Sequence, residues 1–207
     1  MTEKNRQPQI AYIALGSNLG PSDEILDQAL QFIKDSGVNI LAASRRYKTK
    51  PLDIGLGTPC NTKATMPDFL NQVVRVSCRS TCQDLLFEIL LKIEERLGRQ
   101  RPEGQHPEEP LAGTFSARTL DLDLLLFGSE SHATPSLTIP HPRMFKRAFV
   151  LVPLLEVWDE TQDTVFAELL NNCLNTKATP KEHLQRSLDL LDWQLDCKAD
   201  NYYISQK

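Results

Sequence analysis

Apolar positions along the chain follow two rhythms, and the switches between them outline a fold. Ile10 to Leu15 is apolar throughout and runs into Gly16-Ser17-Asn18-Leu19-Gly20-Pro21, which predicts a buried strand entering a tight turn. Ile25, Leu26, Ala29, Leu30 and Ile33 then recur at helical spacing, with Gly37 placed to stop the helix. Val38 to Tyr47 and Phe69 to Cys78 read as strands. Ser80-Thr81-Cys82-Gln83 has the form of a capping box, and Leu86, Ile89, Leu90, Ile93 and Leu97 make one apolar stripe closed by Gly98. Thr119 to Phe127 is the clearest strand and Gly128 ends it. Leu137 to Phe149 carries a Pro-His-Pro turn that leads into the apolar run Val150 to Leu155.

Lys50 to Asp68 and Arg99 to Ala117 hold prolines and glycines with little periodicity, predicting two long loops; such loops in small domains are often functional. Past Asp159, Phe166, Leu169, Leu170, Cys173 and Leu174 form a helical stripe. Thr179-Pro180-Lys181-Glu182 is a second capping box, and Leu184, Leu188, Leu191 and Leu195 continue that helix on one face. These patterns predict a main domain at 10–159 and a helical extension at 160–207 packed on it. Residues 10–127 run strand, helix, strand, strand, helix, strand, which suits an α+β fold with a ferredoxin-like βαββαβ core: a mostly antiparallel sheet flanked by helices.

Composition narrows the class without naming a function. The 207 residues are 41% hydrophobic and 24% charged with a net charge of -4, the profile of an ordinary globular protein. No apolar run approaches the roughly 20 residues that span a bilayer, and Met1 to Gln9 is polar, so no membrane association is expected and the cytosol is the expected compartment. The mild acidity gives no reason to expect a nucleic acid partner. Cys60, Cys78, Cys82, Cys173 and Cys197 are an odd set without a C-x-x-C pair, read as ordinary reduced thiols.

The sharpest chemical feature is Arg118-Thr119-Leu120-Asp121-Leu122-Asp123-Leu124. Alternate residues of a strand share a face, so Asp121 and Asp123 project together while the leucines enter the core. Two apposed carboxylates repel unless a cation lies between them, and Mg²⁺ completed by water and substrate phosphates is a natural filler. The bland alternative is a solvated sheet face. Arg99, Arg101 and Arg118 flank the neighbouring loop and suit phosphate oxygens, or form a solvated basic loop. His141, clamped in Ile139-Pro140-His141-Pro142-Arg143 with Lys146 and Arg147 following, suits a phosphate contact or a structural role. The Gly16 to Gly20 turn admits an anion at a helix start, yet it lacks the Lys of a P-loop.

Together, Ala11 to Gly20, Pro67-Asp68-Phe69-Leu70-Asn71, Arg96-Leu97-Gly98-Arg99, Arg118 to Asp123 and Ile139 to Arg143 resemble, in order, the 6-hydroxymethyl-7,8-dihydropterin pyrophosphokinases of folate biosynthesis, over roughly residues 10–157. The resemblance implies transfer of pyrophosphate from ATP to the pterin hydroxymethyl group with release of AMP. It implies that Asp121 and Asp123 hold two Mg²⁺ ions and that Arg99 and Arg118 engage phosphates as catalytic residues. Glu94, Thr138, His141 and Arg147 join them at the nucleotide. Phe69 and Phe149 would sandwich the pterin ring, Asn71 would read its polar edge, and Thr49 and Leu52 would complete the pocket. The chain departs from the family pattern at Leu91, Phe115 and Ser116-Ala117. A non-catalytic or weakly active paralogue that acts as a nucleotide- or pterin-binding module is the alternative, and association with other folate enzymes is a further expectation.

Overall fold

The computed structural model describes residues 6–51, 67–99, 118–161, 179–198 and 201–206, together with 163, 166, 169 and 170. β1 (Gln9–Ser17) is the spine of the sheet: one edge pairs antiparallel with β4 (Phe69–Cys78), the other with β5 (Asp121–Phe127). β2 (Asn39–Ala43) and β3 (Tyr47–Thr49) both pair antiparallel with β4. A final hairpin, β8 (Trp193–Lys198) and β9 (Asn201–Gln206), extends the path to β5-β1-β4-β3-β9-β8, with β9 parallel to β3. β6 (His132–Thr134) and β7 (Leu137–Ile139) form a separate two-stranded hairpin.

Strand alternation gives the sheet two apolar faces, each covered by helix. Ile13, Leu15, Val74, Leu122 and Leu124 meet Leu26, Ala29 and Ile33 of α1 (Ser22–Asp35) on one side. The same face receives Leu86 and Leu90 from a π-wound segment, Asp84–Leu90, and Ile93 from α2 (Leu91–Arg96), which continues it. The other face packs Tyr12, Val73 and Leu125 against Val150, Leu151 and Leu154 of α3 (Ala148–Glu156), with Phe166, Leu169 and Leu170 beside them. Asp23 and Glu24 in the first turn of α1 and Lys34 in its last complement the helix dipole. The molecule is therefore a mixed α/β protein with a sheet between helical layers. No helix among the described residues is long and apolar enough to cross a membrane.

Three local expectations change. The strand expected over Val38 to Tyr47 breaks at buried Ser44. Its hydroxyl accepts from the Val73 amide at 3.0 Å and its carbonyl accepts from Gln72 Nε2 at 2.7 Å, so the chain turns before β3 begins. The capping pair at the second helix lies one residue on: Asp84 N donates to Thr81 Oγ1 at 2.9 Å and Thr81 N to Asp84 Oδ2 at 3.4 Å. The stretch 160–207 is not wholly helical. The Thr179 capping box forms and starts α4 (Pro180–Asp189), but Leu195 lies on β8, where β9 has been recruited by the otherwise unpaired edge of β3.

A buried ionic knot ties this stretch to the sheet. Asp163 is fully buried and accepts from Arg75 Nη2 at 2.9 Å, from the Asp159 amide at 2.8 Å and from the Tyr12 hydroxyl. Trp158 stacks on Tyr12 with centroids 5.1 Å apart.

Candidate active site

The ladder register places one row of residues straight across the sheet: Asp121 opposite Gly16, Gly16 opposite Asn71, and Asn71 opposite Tyr47. Residues opposed in this way share a face. A Cβ on Gly16 would stand 3.6 Å from Asn71 Oδ1 and 3.9 Å from the Asp121 Cβ, so glycine leaves the floor open between them. Asp123 lies opposite Ala14, on the same face as Asp121.

Each carboxylate has its own cations rather than facing its neighbour across a gap. Asp121 Oδ1 accepts from Arg99 Nη1, and Asp121 Oδ2 from Arg118 Nη1. Burial alone would push the Asp121 carboxyl up, but Arg118 and Arg99 outweigh it and hold it down at about 2. Asp123 Oδ2 lies 3.7 Å from Arg147 Nη1 and 3.9 Å from His141 Nε2. Burial draws Arg147 below the ordinary guanidinium range, Asp123 opposes that, and Arg143 adds to it. The repulsion expected for an unfilled carboxylate pair is thus relieved by arginine.

Glu94 is the brace between α2 and β5. It is almost wholly buried; its Oε1 accepts from the Leu122 amide at 2.6 Å and from Arg99 Nη1. Burial works against the Arg99 cation, yet Asp121 and Glu94 outweigh it and raise its hold on the proton. His141 is buried, and its amide donates to the Leu125 carbonyl at 2.9 Å, so β5 fixes the histidine as well as both aspartates.

Asn18 is a residue the sequence pattern did not single out. Its Oδ1 accepts from the Arg118 amide at 2.7 Å, its own amide donates to the Arg118 carbonyl at 3.1 Å, and its Nδ2 donates to the Pro67 carbonyl at 3.4 Å. Asn18 is buried just past the end of β1, and the available signal was an asparagine between Gly16 and Gly20 at the strand-to-helix junction.

At the other end of the row, Thr49 lies opposite Phe69, and Asn71 Nδ2 donates to Thr49 Oγ1 at 2.9 Å and to the Tyr47 carbonyl at 3.3 Å. Phe69, Asn71 and Thr49 therefore form one group on the sheet. A shallow depression of about 250 Å³ beside Phe69, between Ser22, Lys48, Asp68 and Tyr203, includes neither Asp121 nor Asp123. Phe149 is half-buried in the first turn of α3, its ring centroid 5.5 Å from the Arg147 guanidinium carbon. Thr138 Oγ1 donates to the Thr134 carbonyl at 3.2 Å within the β6–β7 hairpin. Leu91 packs against the apolar cluster under α2. Leu52, Arg101, Phe115, Ser116 and Ala117 lie outside the described residues, as does most of both expected loops.

The sequence model of the family described as 7,8-dihydro-6-hydroxymethylpterin-pyrophosphokinase (HPPK) matches residues 12–159. The chain belongs to the HPPK family. A Bacillus subtilis protein named 2-amino-4-hydroxy-6-hydroxymethyldihydropteridine pyrophosphokinase is 36% identical over 154 residues, 74% of this chain and 80% of that protein. A Haemophilus influenzae protein of the same name is 38% identical over 148 residues, covering 71% of this chain and 80% of its own length. An Arabidopsis thaliana relative named folate synthesis bifunctional protein is 34% identical over 145 residues, which are 70% of this chain and 26% of that one. Among solved structures, a Plasmodium falciparum HPPK-DHPS chain aligns with a TM-score of 0.53 at 14% identity, a likeness of fold. The alignment covers 98% of this chain, which spans about half (51%) of the solved one. In this HPPK chain the family match contains every candidate site residue and stops before α4 and the β8–β9 hairpin.

Proposed function

We propose that this chain transfers the terminal pyrophosphoryl group of ATP to the hydroxymethyl oxygen of 6-hydroxymethyl-7,8-dihydropterin, releasing AMP, as a step of folate biosynthesis. Membership of the HPPK family supports the reaction. The observation that carries the placement is the convergence of Asp121, Asp123, Arg99, Arg118, Arg147 and His141 around the start of β5. In the transfer, the hydroxymethyl oxygen bonds to the β-phosphorus, the bond from that phosphorus to the α,β-bridging oxygen breaks, and AMP leaves with that oxygen. The hydroxyl proton passes to solvent. Such chemistry rests on alignment and charge stabilisation.

The donor set fits magnesium. Asp121 and Asp123 offer only oxygen, and their side chains keep 23% and 31% exposure, so ions with their water and phosphate ligands can reach them. Two Mg²⁺ ions held there would neutralise the triphosphate and stabilise charge on the leaving oxygen. Arg99 and Arg118 hold Asp121 in the meantime and pass to phosphate oxygens when the nucleotide binds. Glu94 keeps Arg99 close throughout. His141, Arg147 and Thr138 bind the nucleotide. Phe69 and Phe149 cover the two faces of the pterin, Asn71 and Thr49 pair with its polar edge, and Leu52 completes the pocket. Stacking with a few directed hydrogen bonds suits a flat heterocycle.

We also assign residues 10–159 as the catalytic unit, with a ferredoxin-like core, a reading supported by the antiparallel order β5-β1-β4-β3 and by the span of the family match. Association with other folate enzymes is supported by the bifunctional names of several relatives. The test is AMP formation from ATP and Mg²⁺ with and without 6-hydroxymethyl-7,8-dihydropterin. Pterin-dependent AMP release is expected; nucleotide binding without AMP release would overturn the proposal in favour of a binding role.

A further inference from the structure

A second cluster of ligating side chains lies at the far ends of the helix and strand that build the active site. Cys82, Glu130 and His132 present a thiol sulfur, a carboxylate oxygen and an imidazole nitrogen that all lie within 4.8 Å of one another. They come from three places: Cys82 from the start of the second helical segment, Glu130 from the turn after β5, and His132 from the first residue of β6. Twelve residues separate Cys82 from Glu94, roughly 18 Å at helical rise. The cluster is therefore remote from Asp121 and Asp123.

Its three arms are held by backbone structure. The Thr81–Asp84 capping pair brackets Cys82, whose side chain is fully buried. The turn at Glu130 is closed by a hydrogen bond from its amide to the Phe127 carbonyl at 3.1 Å. Gly128 in that turn has φ +47°, a left-handed conformation that favours glycine. His132 is fixed by its register with Ile139. The imidazole Nε2 lies 2.7 Å from Glu130 Oε2, and both side chains keep an open side toward solvent, at 22% and 43% exposure. The arrangement is a buried sulfur under a partly exposed nitrogen and oxygen.

We propose that Cys82, Glu130 and His132 form a binding site for a zinc-class divalent ion, with three protein ligands and an open fourth position taken by water. Sulfur, imidazole and carboxylate together select zinc-like ions over Mg²⁺, which takes oxygen. Bond lengths of about 2.0–2.3 Å at the tetrahedral angle put ligand atoms about 3.4–3.7 Å apart. His132 and Glu130 open from their 2.7 Å contact by less than about 1 Å to reach this, and the thiol releases its proton to water. Such an ion joins the first turn of the helical segment leading to Glu94 to the turn following the strand of Asp121 and Asp123. It fixes both elements from the end opposite the chemistry. Cysteine spacing could not reveal this site, because its ligands are 48 and 2 residues apart in sequence and match no zinc-finger interval.

The test is a Co²⁺ titration of the full chain after chelation, followed by absorption spectroscopy. One Co²⁺ per chain is expected, with thiolate-to-cobalt charge transfer and tetrahedral d–d bands, displaced by one equivalent of Zn²⁺ and unaffected by excess Mg²⁺. Cys82→Ala abolishes the charge-transfer band. His132→Ala, at a partly exposed position that leaves the core intact, lowers Co²⁺ affinity by on the order of 100-fold or more with unchanged circular dichroism. Zn²⁺ at 100 times its Kd raises the melting temperature by roughly 5–10 °C. A folded wild type without the band overturns the proposal. So does a band that persists in Cys82→Ala, which would mark another thiol such as exposed Cys197, or an unchanged affinity in His132→Ala.

Discussion

Replacing Asp121 by Asn removes the charge on which Arg99 and Arg118 converge, and it separates two accounts of the carboxylate pair. If the two aspartates chiefly repelled each other, the amide would relieve strain and stabilise the protein. The geometry gives the opposite sign. Asp121 is held at about 2, against an ordinary 3.8. That depression corresponds to about 2–3 kcal/mol of stability at neutral pH. A depressed carboxylate contributes this stability above about pH 4 and loses it as pH falls toward 2. Urea unfolding of wild type and Asp121→Asn should therefore differ by about 2 kcal/mol at pH 7, roughly 4–8 °C in melting temperature, and converge only as the pH falls to about 2 and below. AMP formation by the variant should fall by at least two orders of magnitude, since the proposed metal ligand and the arginine anchor are lost together. A variant as stable as wild type at pH 7, or more stable, would refute the arginine clamp.

Phe69→Ala should weaken pterin binding by about tenfold or more while leaving ATP affinity within about twofold, measured by calorimetry; equal losses would place Phe69 outside the pterin pocket. Asp163→Asn leaves Arg75 and Tyr12 buried around a neutral group and should cost about 3–5 kcal/mol in denaturant unfolding. A change below 1 kcal/mol would show that water satisfies the knot. Gly16→Val carries its branched methyls into the open floor between Asn71 and Asp121. It should reduce kcat/KM at least tenfold with a melting temperature within a few degrees of wild type, and undiminished activity would show that no substrate crosses that floor.

The sheet was legible wherever alternation was local. β1, β4 and β5 follow from runs whose partners the pattern implies, and Thr179 with Glu182 states its helix start in four residues. The break at Ser44 was not legible, because the groups that stop the strand belong to Gln72 and Val73, nearly thirty residues away. Two overlapping capping patterns begin at Ser80 and Thr81, and only the packed helix chooses the second. Leu184, Leu188, Leu191 and Leu195 fit a helical stripe, so the strand at Leu195 depends on the edge that β3 offers. At the site, the strand period put Asp121 and Asp123 on one face with Arg118 three residues ahead of Asp121, whereas Arg99 and Arg147 come from separate segments, and no sequence interval announces their pairing. Asn18 escaped notice for the same reason: its partners Pro67 and Arg118 are distant along the chain.

The row Asp121–Gly16–Asn71 gives the protein a built-in gauge. Its two ends stand two strand spacings apart, about 10 Å, and the interval is written in the ladder bonds of the central strand rather than in any surface segment. Those bonds join three long strands around a buried core, so local fluctuations at the rim are expected to alter access to the site without altering its scale. Amide exchange along the middle of β1 should accordingly report a free energy close to that of global unfolding, and the alignment of the two proposed substrates would persist until the sheet comes apart.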